Sequence, residues 1–401
     1  MSSSPAESAS PALTTSLMCL PNELLQKVTE HLLPDYCLDG ESDEKPLDAI
    51  RLGAACHRLH DLVIPLAFKE LGMRDREHTN SWLADCLAEY GHHVAGLSIY
   101  LPDYVTEDGA LLAACVQRCA NCCTVRIHGE YCTWDDVVAV LAPIASSSLR
   151  KLEFSLKGND MSMAAPIASL IRRSDGLQTL VLDFYQETQA ALDPLTDAWQ
   201  ACAGLEHLTA RYTRSNFDNF EYGRGVPPLR TLSLAIYDVL MRTLVAFLKA
   251  FSETLVELEL RCSSEEIRMG NELKPDSLVL LSKCTTLTTG TLYSPRDTVC
   301  ILSALIDPET PISRIMYTAT YDSGMMDAIK TFHAKQSVKT LRHVRFLRGH
   351  DELPVLSTYI DSQKQLKSLR VWGASNGIDV DIDDMRIPKF DHAASLEFEE
   401  D

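Results

Sequence analysis

The stretch LRKLEFSLK, residues 149 to 157, sets an apolar residue, two variable ones, a second apolar residue, one variable and a third apolar: Leu149, Leu152, Phe154. The same phrase recurs before it as Val94/Leu97/Ile99 and Cys122/Val125/Ile127. It recurs after it as Leu177/Leu180/Leu182, Leu205/Leu208/Ala210, Leu229/Leu232/Leu234 and Leu255/Leu258/Leu260. Later copies read Leu287/Gly290/Leu292, Ile312/Ile315/Tyr317, Leu341/Val344/Phe346 and Leu366/Leu369/Val371. In a chain that is 46% apolar, about one window in ten fits such a phrase by chance, so the spacing decides. Successive copies start 28, 27, 28, 28, 24, 26, 32, 25, 29 and 25 residues apart, and six of the eleven keep leucine at both of the first two positions.

Between the phrases lie helical patterns: TWDDVVAVLAPIAS (133–146), MAAPIASLIRRSDG (163–176), YDVLMRTLVAFLKAFS (237–252), DTVCILSALI (297–306) and MDAIKTFHAKQS (326–337). Each places apolar residues three and four apart, several with Asp in the first turn and Ser or Gly at the end. Each unit therefore reads as strand, helix and turn, which gives an α/β chain. One such unit cannot cover its own apolar side, so neighbours must stack into a curved solenoid. Over residues 92 to 373 the chain resembles the leucine-rich-repeat proteins of the ribonuclease-inhibitor-like class, with about eleven irregular strand-helix repeats. The Asn or Cys that the family carries three residues after the last leucine is replaced by Lys157, Tyr185, Thr213 and Tyr237.

The N-terminal part has a different rhythm. LPNELLQKVTEHLL (20–33) carries Leu20, Leu24, Leu25, Val28 and Leu32 as a helical stripe, with Pro21 in the first turn and Glu23 near the positive end of the helix dipole. A helix this short needs something to dock on. After the acidic PDYCLDGESDEKP (34–46), the stretch LDAIRLGAACHRLHDLVIPLAFKEL (47–71) puts Leu52, Cys56, Leu59, Leu62 and Val63 on one side, with Pro65 expected to break the helix before Phe68. The run Leu-Pro-x-Glu-Leu-Leu-x-x-Val, followed by Leu-x-x-x-Cys-x-x-Leu-x-x-Leu-Val-x-Pro-Leu-x-Phe, resembles the F-box. In that family the module docks on the Skp-type linker subunit of a cullin-based (SCF) ubiquitin ligase. Carried over, the resemblance assigns linker contacts to Leu20, Pro21, Leu24, Leu25, Val28, Leu59 and Leu62. The other reading, for residues 17 to 71, is a helical hairpin that caps the exposed end of the solenoid.

The implied organisation is an N-terminal tail (1–16), an F-box (17–72), a helical connection (73–91), a repeat domain (92–375) and an acidic tail (376–401). In such a solenoid the phrase residues point inward, and those alternating with them line the concave strand face. On that face the later copies offer Tyr293, Arg314, His343, Arg345, Arg370 and Trp372, a basic and aromatic strip suited to an acidic or phosphorylated protein substrate. The segment from Asn376 onward holds nine acidic residues against Arg386 and Lys389, and by charge it could cover that strip.

The overall balance is −19, from 56 acidic and 37 basic residues, which repels nucleic-acid phosphate and leaves no global basis for binding DNA or RNA. No window approaches the roughly 18 uninterrupted apolar residues of a membrane span. The first sixteen residues lack the basic start and apolar centre of a secretory signal. The thirteen cysteines are odd in number and scattered through apolar segments, as reduced buried thiols are, so a cytoplasmic or nuclear location is expected. Cys115, Cys119, Cys122, Cys123, His128 and Cys132 have spacings that zinc tolerates, but no second paired-cysteine hook follows, and no metal is expected. No phosphate-cradling glycine loop, GxSxG elbow or HExxH helix occurs, and no cofactor is implied. The expectation is a non-catalytic adaptor that captures a substrate for an SCF ligase. The alternative is a leucine-rich scaffold or GTPase regulator.

Overall fold

The computed structural model describes residues 20–32, 51–74, 77–101, 109–130, 141–144, 148–157, 164–184, 193–213, 226–236, 241–262, 278–291, 305–318, 323–347 and 367–382. The acidic stretch 34–46, the first nineteen residues and everything after Ile382 lie outside them. In chain order the elements are α1 (Asn22–Leu32), α2 (His57–Phe68), β1 (Glu70–Arg74), α3 (Glu77–Tyr90), β2 (Gly96–Leu101), α4 (Gly109–Arg118), β3 (Thr124–Glu130) and β4 (Lys151–Lys157). There follow α5 (Ala164–Arg172), β5 (Thr179–Phe184), α6 (Asp193–Gln200), β6 (His207–Thr213), β7 (Thr231–Ile236), α7 (Met241–Ala250) and β8 (Glu257–Cys262). The last are β9 (Thr286–Thr291), β10 (Arg314–Thr318), α8 (Ser323–Lys335), β11 (His343–Leu347), a helix over residues 367 to 376, and β12 (Asp379–Ile382).

All twelve strands form one open parallel sheet in strict chain order, β1 to β12. This is the α/β leucine-rich-repeat solenoid that the phrase implies. Its register aligns phrase position with phrase position: Ile127 stands beside Phe154 and Phe154 beside Leu182. The aligned leucines are buried along the whole length, and one continuous core runs from Ile64 to Ile378. Ahead of the strands, each turn is tied to the one before by a backbone ladder. Amides of Arg150, Gln178, Glu206 and Arg230 donate in turn to the carbonyls of Cys123, Arg150, Gln178 and Glu206. Stacking, not the single repeat, therefore satisfies both the apolar side and the backbone.

The structure changes the sequence reading at four places. First, the sheet begins earlier. Phe68, Leu71 and Met73 are buried in the main core, and β1 pairs residue for residue with β2, so the end of the expected F-box already belongs to the solenoid. Those three residues are themselves a copy of the phrase, one period ahead of Val94. Second, α2 runs through Pro65 to Phe68. Proline removes one backbone donor, but Ile64 and Phe68, one turn apart, both reach the main core and hold the helix in line.

Third, the eighth phrase is shifted. Leu287 pairs with Leu258 and Thr289 with Leu260, so the buried set is Cys284/Leu287/Thr289 and not Leu287/Gly290/Leu292. Tyr293 consequently falls past the end of β9 and lies outside the described residues. Fourth, the copy at Leu366/Leu369/Val371 is not a strand. Residues 367 to 376 are helical, with Leu369 and Gly373 buried, Trp372 packed against the core and Val371 facing solvent. Burial at three- and four-residue spacing selects the helix. Arg370 and Trp372 are thereby removed from the strand face. The twelfth strand is instead Asp379–Ile382, inside the segment expected as a tail, with Val380 and Ile382 aligned on Val344 and Phe346.

Candidate protein-binding surfaces

Two surfaces follow from this frame. At the N-terminal end, α1 lies on α2 through a guanidinium clamp: Arg58 donates from Nε to Asn22 Oδ1 at 2.7 Å and from Nη2 to the Leu20 carbonyl at 2.7 Å. Leu25 faces inward and is 1% exposed, while Leu24, its neighbour in sequence, is 48% exposed. Adjacent helical residues lie about 100° apart, and α1 turns Leu25 inward while Leu24 stays at the surface. Beneath it Leu59 and Val63 form a small cluster of their own with Leu52, Cys56 and Ala67. Cys56 caps α2, its Sγ accepting from the Leu59 amide at 3.4 Å.

Of the seven residues expected to contact a linker, the structure leaves five within reach. Pro21 and Leu24 are exposed, and Leu20, Val28 and Leu62 are half-buried. Leu25 and Leu59 are buried inside this chain and are not contacts in this state. They carry the geometry that keeps Leu24 and Val28 at the surface. The module is thus sealed on one side, and on the other exposes Pro21 and Leu24 among Asn22, Glu23, Gln26 and Lys27.

The second surface is the strand face. Residues that were separate in sequence come together here because register stacks them. Arg126 on β3 reaches Glu70 on β1 at 3.4 Å and Glu153 on β4 at 3.6 Å, and Lys151 meets Glu153 at 3.3 Å. Arg211 faces the buried Asp183 at 3.9 Å, and Arg261 binds Glu259 at 2.6 Å, with Ser233 donating to the same carboxylate. Between these pairs lie short uncharged side chains: Thr179, Val181, Thr209 and Thr231, then Thr286, Thr288 and Met316. Such a face offers mixed, largely self-compensated polarity over a wide area. That suits a macromolecular partner better than a single anion.

The basic strip is altered by the same register. His343 lies 3.6 Å from Asp379, and Arg345 3.3 Å from Asp381, both acids coming from β12. The chain's own carboxylates therefore already occupy part of the strip that was expected to take an acidic substrate. Arg314, on β10 beside His343, remains exposed. The sequence reading passed over Tyr100 and Glu70, which join the face once β1 and β2 are included; Tyr100 stacks on His128 with ring centres 5.0 Å apart. The first copy of the phrase, Val94/Leu97/Ile99, predicts Tyr100 by simple alternation, and the missed copy at Phe68 predicts Glu70.

Within the cysteine cluster Cys115, Cys119 and Cys122 are buried, and Cys132 lies outside the described residues. Cys119 donates to the Cys115 carbonyl at 3.4 Å and Cys122 to the Thr124 carbonyl at 3.0 Å. Burial pushes Cys115 up to about 11 and both Cys119 and Cys122 up to about 12, so these are protonated thiols at neutral pH. Among the described residues no group of His, Cys, Asp and Glu is arranged to hold a metal, and no helix is long and apolar enough to cross a membrane.

Three histidines among the described residues are shifted in the direction that weakens the fold in acid. Burial is the chief cause lowering His128, with Arg126 adding to it and Glu153 opposing. Burial also leads at His333, reinforced by Lys339 and Arg342 and opposed by a hydrogen bond with Gln336, and at His93, reinforced by His92. A histidine whose folded pKa is depressed is neutral in both states above its ordinary value. Below about 6.5 the unfolded chain binds protons that the folded chain refuses, so stability falls there and levels off only beneath the folded pKa. The melting temperature, followed from pH 8 down to 5, is expected to hold above about 6.5 and drop below it. A flat profile would contradict this assignment.

No family model matches the chain, and no curated protein matches it. Among the solved structures that match is the leucine-rich repeat-containing protein LegL7 from Legionella pneumophila, at 14% identity and a TM-score of 0.39, covering 69% of this chain and 96% of that one. The repeat fold assigned to this chain rests on its own strand order and register.

Proposed function

We propose that this protein is the substrate-receptor subunit of a cullin-based ubiquitin ligase, with the α1–α2 module docking on a Skp-type linker and the strand face holding the protein to be modified. The observation that carries the reading is the split of Leu24 and Leu25. One leucine seats the helix, and the other is left at the surface, three or four residues from Pro21, Leu20 and Val28. Leu24 adds nothing to this chain's own core, and a large apolar side chain left at the surface beside half-buried apolar ones is open to a partner. The adaptor performs no chemistry: it holds two proteins at fixed separation, and the continuity of α2 with β1 through Phe68 makes that separation rigid. The cargo chemistry favoured by the strand face is mixed polar and apolar, since His343 and Arg345 are matched by Asp379 and Asp381.

A second reading is a self-contained scaffold or GTPase regulator in which the N-terminal helices cap the first repeat. Burial of Leu25, Leu59, Ile64 and Phe68 within the chain favours it. Reconstitution separates the two. Mixed with a Skp-type linker and a cullin, the protein is expected to elute in a ternary complex that requires the linker; elution of this chain alone would leave only the scaffold.

A further inference from the structure

The chain is acidic overall and again after Asp379, but the described part of its last two repeats is locally basic, with Asp327, Asp379 and Asp381 as its acidic residues. Residues 328 to 347 and 367 to 378 contain no acidic side chain and seven Lys or Arg: Lys330, Lys335, Lys339, Arg342, Arg345, Lys367 and Arg370. All of them belong to the last two repeats, where the 367–376 helix stacks beside α8 through the edge-to-face contact of Trp372 with His333. Two of the four large apolar side chains that stand exposed among the described residues are here as well, Val338 at 69% and Val371 at 63%. Val338 sits in the turn that carries Lys339 and Arg342, and Val371 follows Arg370 on the outer side of the helix.

We propose that this end of the solenoid is a docking surface for an extended acidic segment of a partner protein that also carries apolar side chains. Lys339 is spent on the carbonyls of His333, Ala334 and Gln336 and Arg345 on Asp381, but exposed Lys335, Lys367 and Arg370 with two exposed valines in the same repeats match a segment in which carboxylates alternate with leucine-like residues. The chain supplies its own precedent for the chemistry: Asp379 and Asp381, two apart on a strand, sit against His343 and Arg345, and Glu309 accepts from the Ser337 amide at 3.2 Å. The last two repeats thus already hold carboxylates, from a strand and from a turn, while Lys335, Lys367 and Arg370 on the helices stay exposed. A narrow segment touches this corner alone. A membrane sheet or a long nucleic acid spreads within a Debye length of the rest of a protein carrying −19, and is repelled by it. Phosphate backbones also make no use of the valines.

The test uses the full chain and a fluorescein-labelled nonapeptide of three Glu-Glu-Leu repeats, read by anisotropy at about 50 and about 200 mM salt. Binding is expected at the lower salt and weaker at the higher. The pair Lys367→Glu and Arg370→Glu should weaken it about tenfold or more, and Val371→Ser about threefold. Both charges are exposed, and Lys367→Gln with Arg370→Gln serves in their place if the reversed pair melts early. Unchanged binding in the charge variants overturns the proposal. So does binding confined to a chain truncated after Ile382, which would give the surface to this protein's own C-terminal residues. So does charge-dependent binding only to phosphatidylserine vesicles or single-stranded DNA. None of these outcomes depends on capture of a linker subunit.

Discussion

Phe154→Ala is expected to cost about 3 to 5 kcal/mol and to loosen more than its own repeat. Phe154 is fully buried and is among the largest side chains with no exposure. On either side it stands in register with Ile127 and Leu182, so the cavity opens into two interfaces at once. In a solenoid the stability of a repeat is its own folding plus the contacts with its two neighbours, and the intrinsic part alone is unfavourable. Removing the ring therefore weakens both interface contributions together, and the repeats on each side lose protection as well. Amide hydrogen exchange should show faster exchange across β3 to β5 with little change at β10 and β11. Loss confined to β4 would mean that the repeats do not share their core as described.

Leu24→Asp is expected to do the opposite: to leave the fold intact and abolish capture of a Skp-type linker. Leu24 is nearly half exposed, and surface substitutions away from special features stay within about 0.5 kcal/mol. At the centre of an apolar interface, truncation to alanine typically costs about 2 kcal/mol, over tenfold in affinity. A carboxylate there must in addition be desolvated without a partner, which brings the loss to about a hundredfold or more. Leu25→Ala is the control. Its side chain is 1% exposed against α2, so its effect is on melting temperature, and on linker binding only through the fold. If Leu24→Asp binds the linker as well as the natural chain does, the apolar face belongs to some other partner.

The contrast between those two leucines shows how far the sequence could be read. The stripe Leu20, Leu24, Leu25, Val28 identifies a helix with an apolar side, but its width leaves open which leucine turns inward. Packing on α2, and the Arg58 clamp to Asn22 and the Leu20 carbonyl, decide that. The repeat itself was legible because leucine recurs at positions that every strand must bury. Legibility failed where chemistry and burial part company: Thr289 is fully buried in a place the phrase reserves for an apolar residue, and Gly290 and Leu292 then offered a false match. At the C-terminal end Leu366, Leu369 and Val371 satisfy the strand phrase, while Leu369, Trp372 and Gly373 satisfy a helix; only the neighbouring repeat, through His333, selects the latter. The Asp379–His343 and Asp381–Arg345 pairs were invisible for a further reason. They depend on which residue of one strand lies beside which residue of the next, and that is fixed by stacking along the whole sheet.

The central claim is that α1 presents Leu24 and Val28 to a foreign subunit and not to this chain. Amide exchange of residues 20 to 32, measured with and without a purified Skp-type linker, tests it at the helix concerned. Rapid exchange is expected in the free protein, because a short helix docked by one side opens readily, and strong protection once the linker is added. Exchange in α1 that is already slow in the free protein and does not change with linker would contradict it.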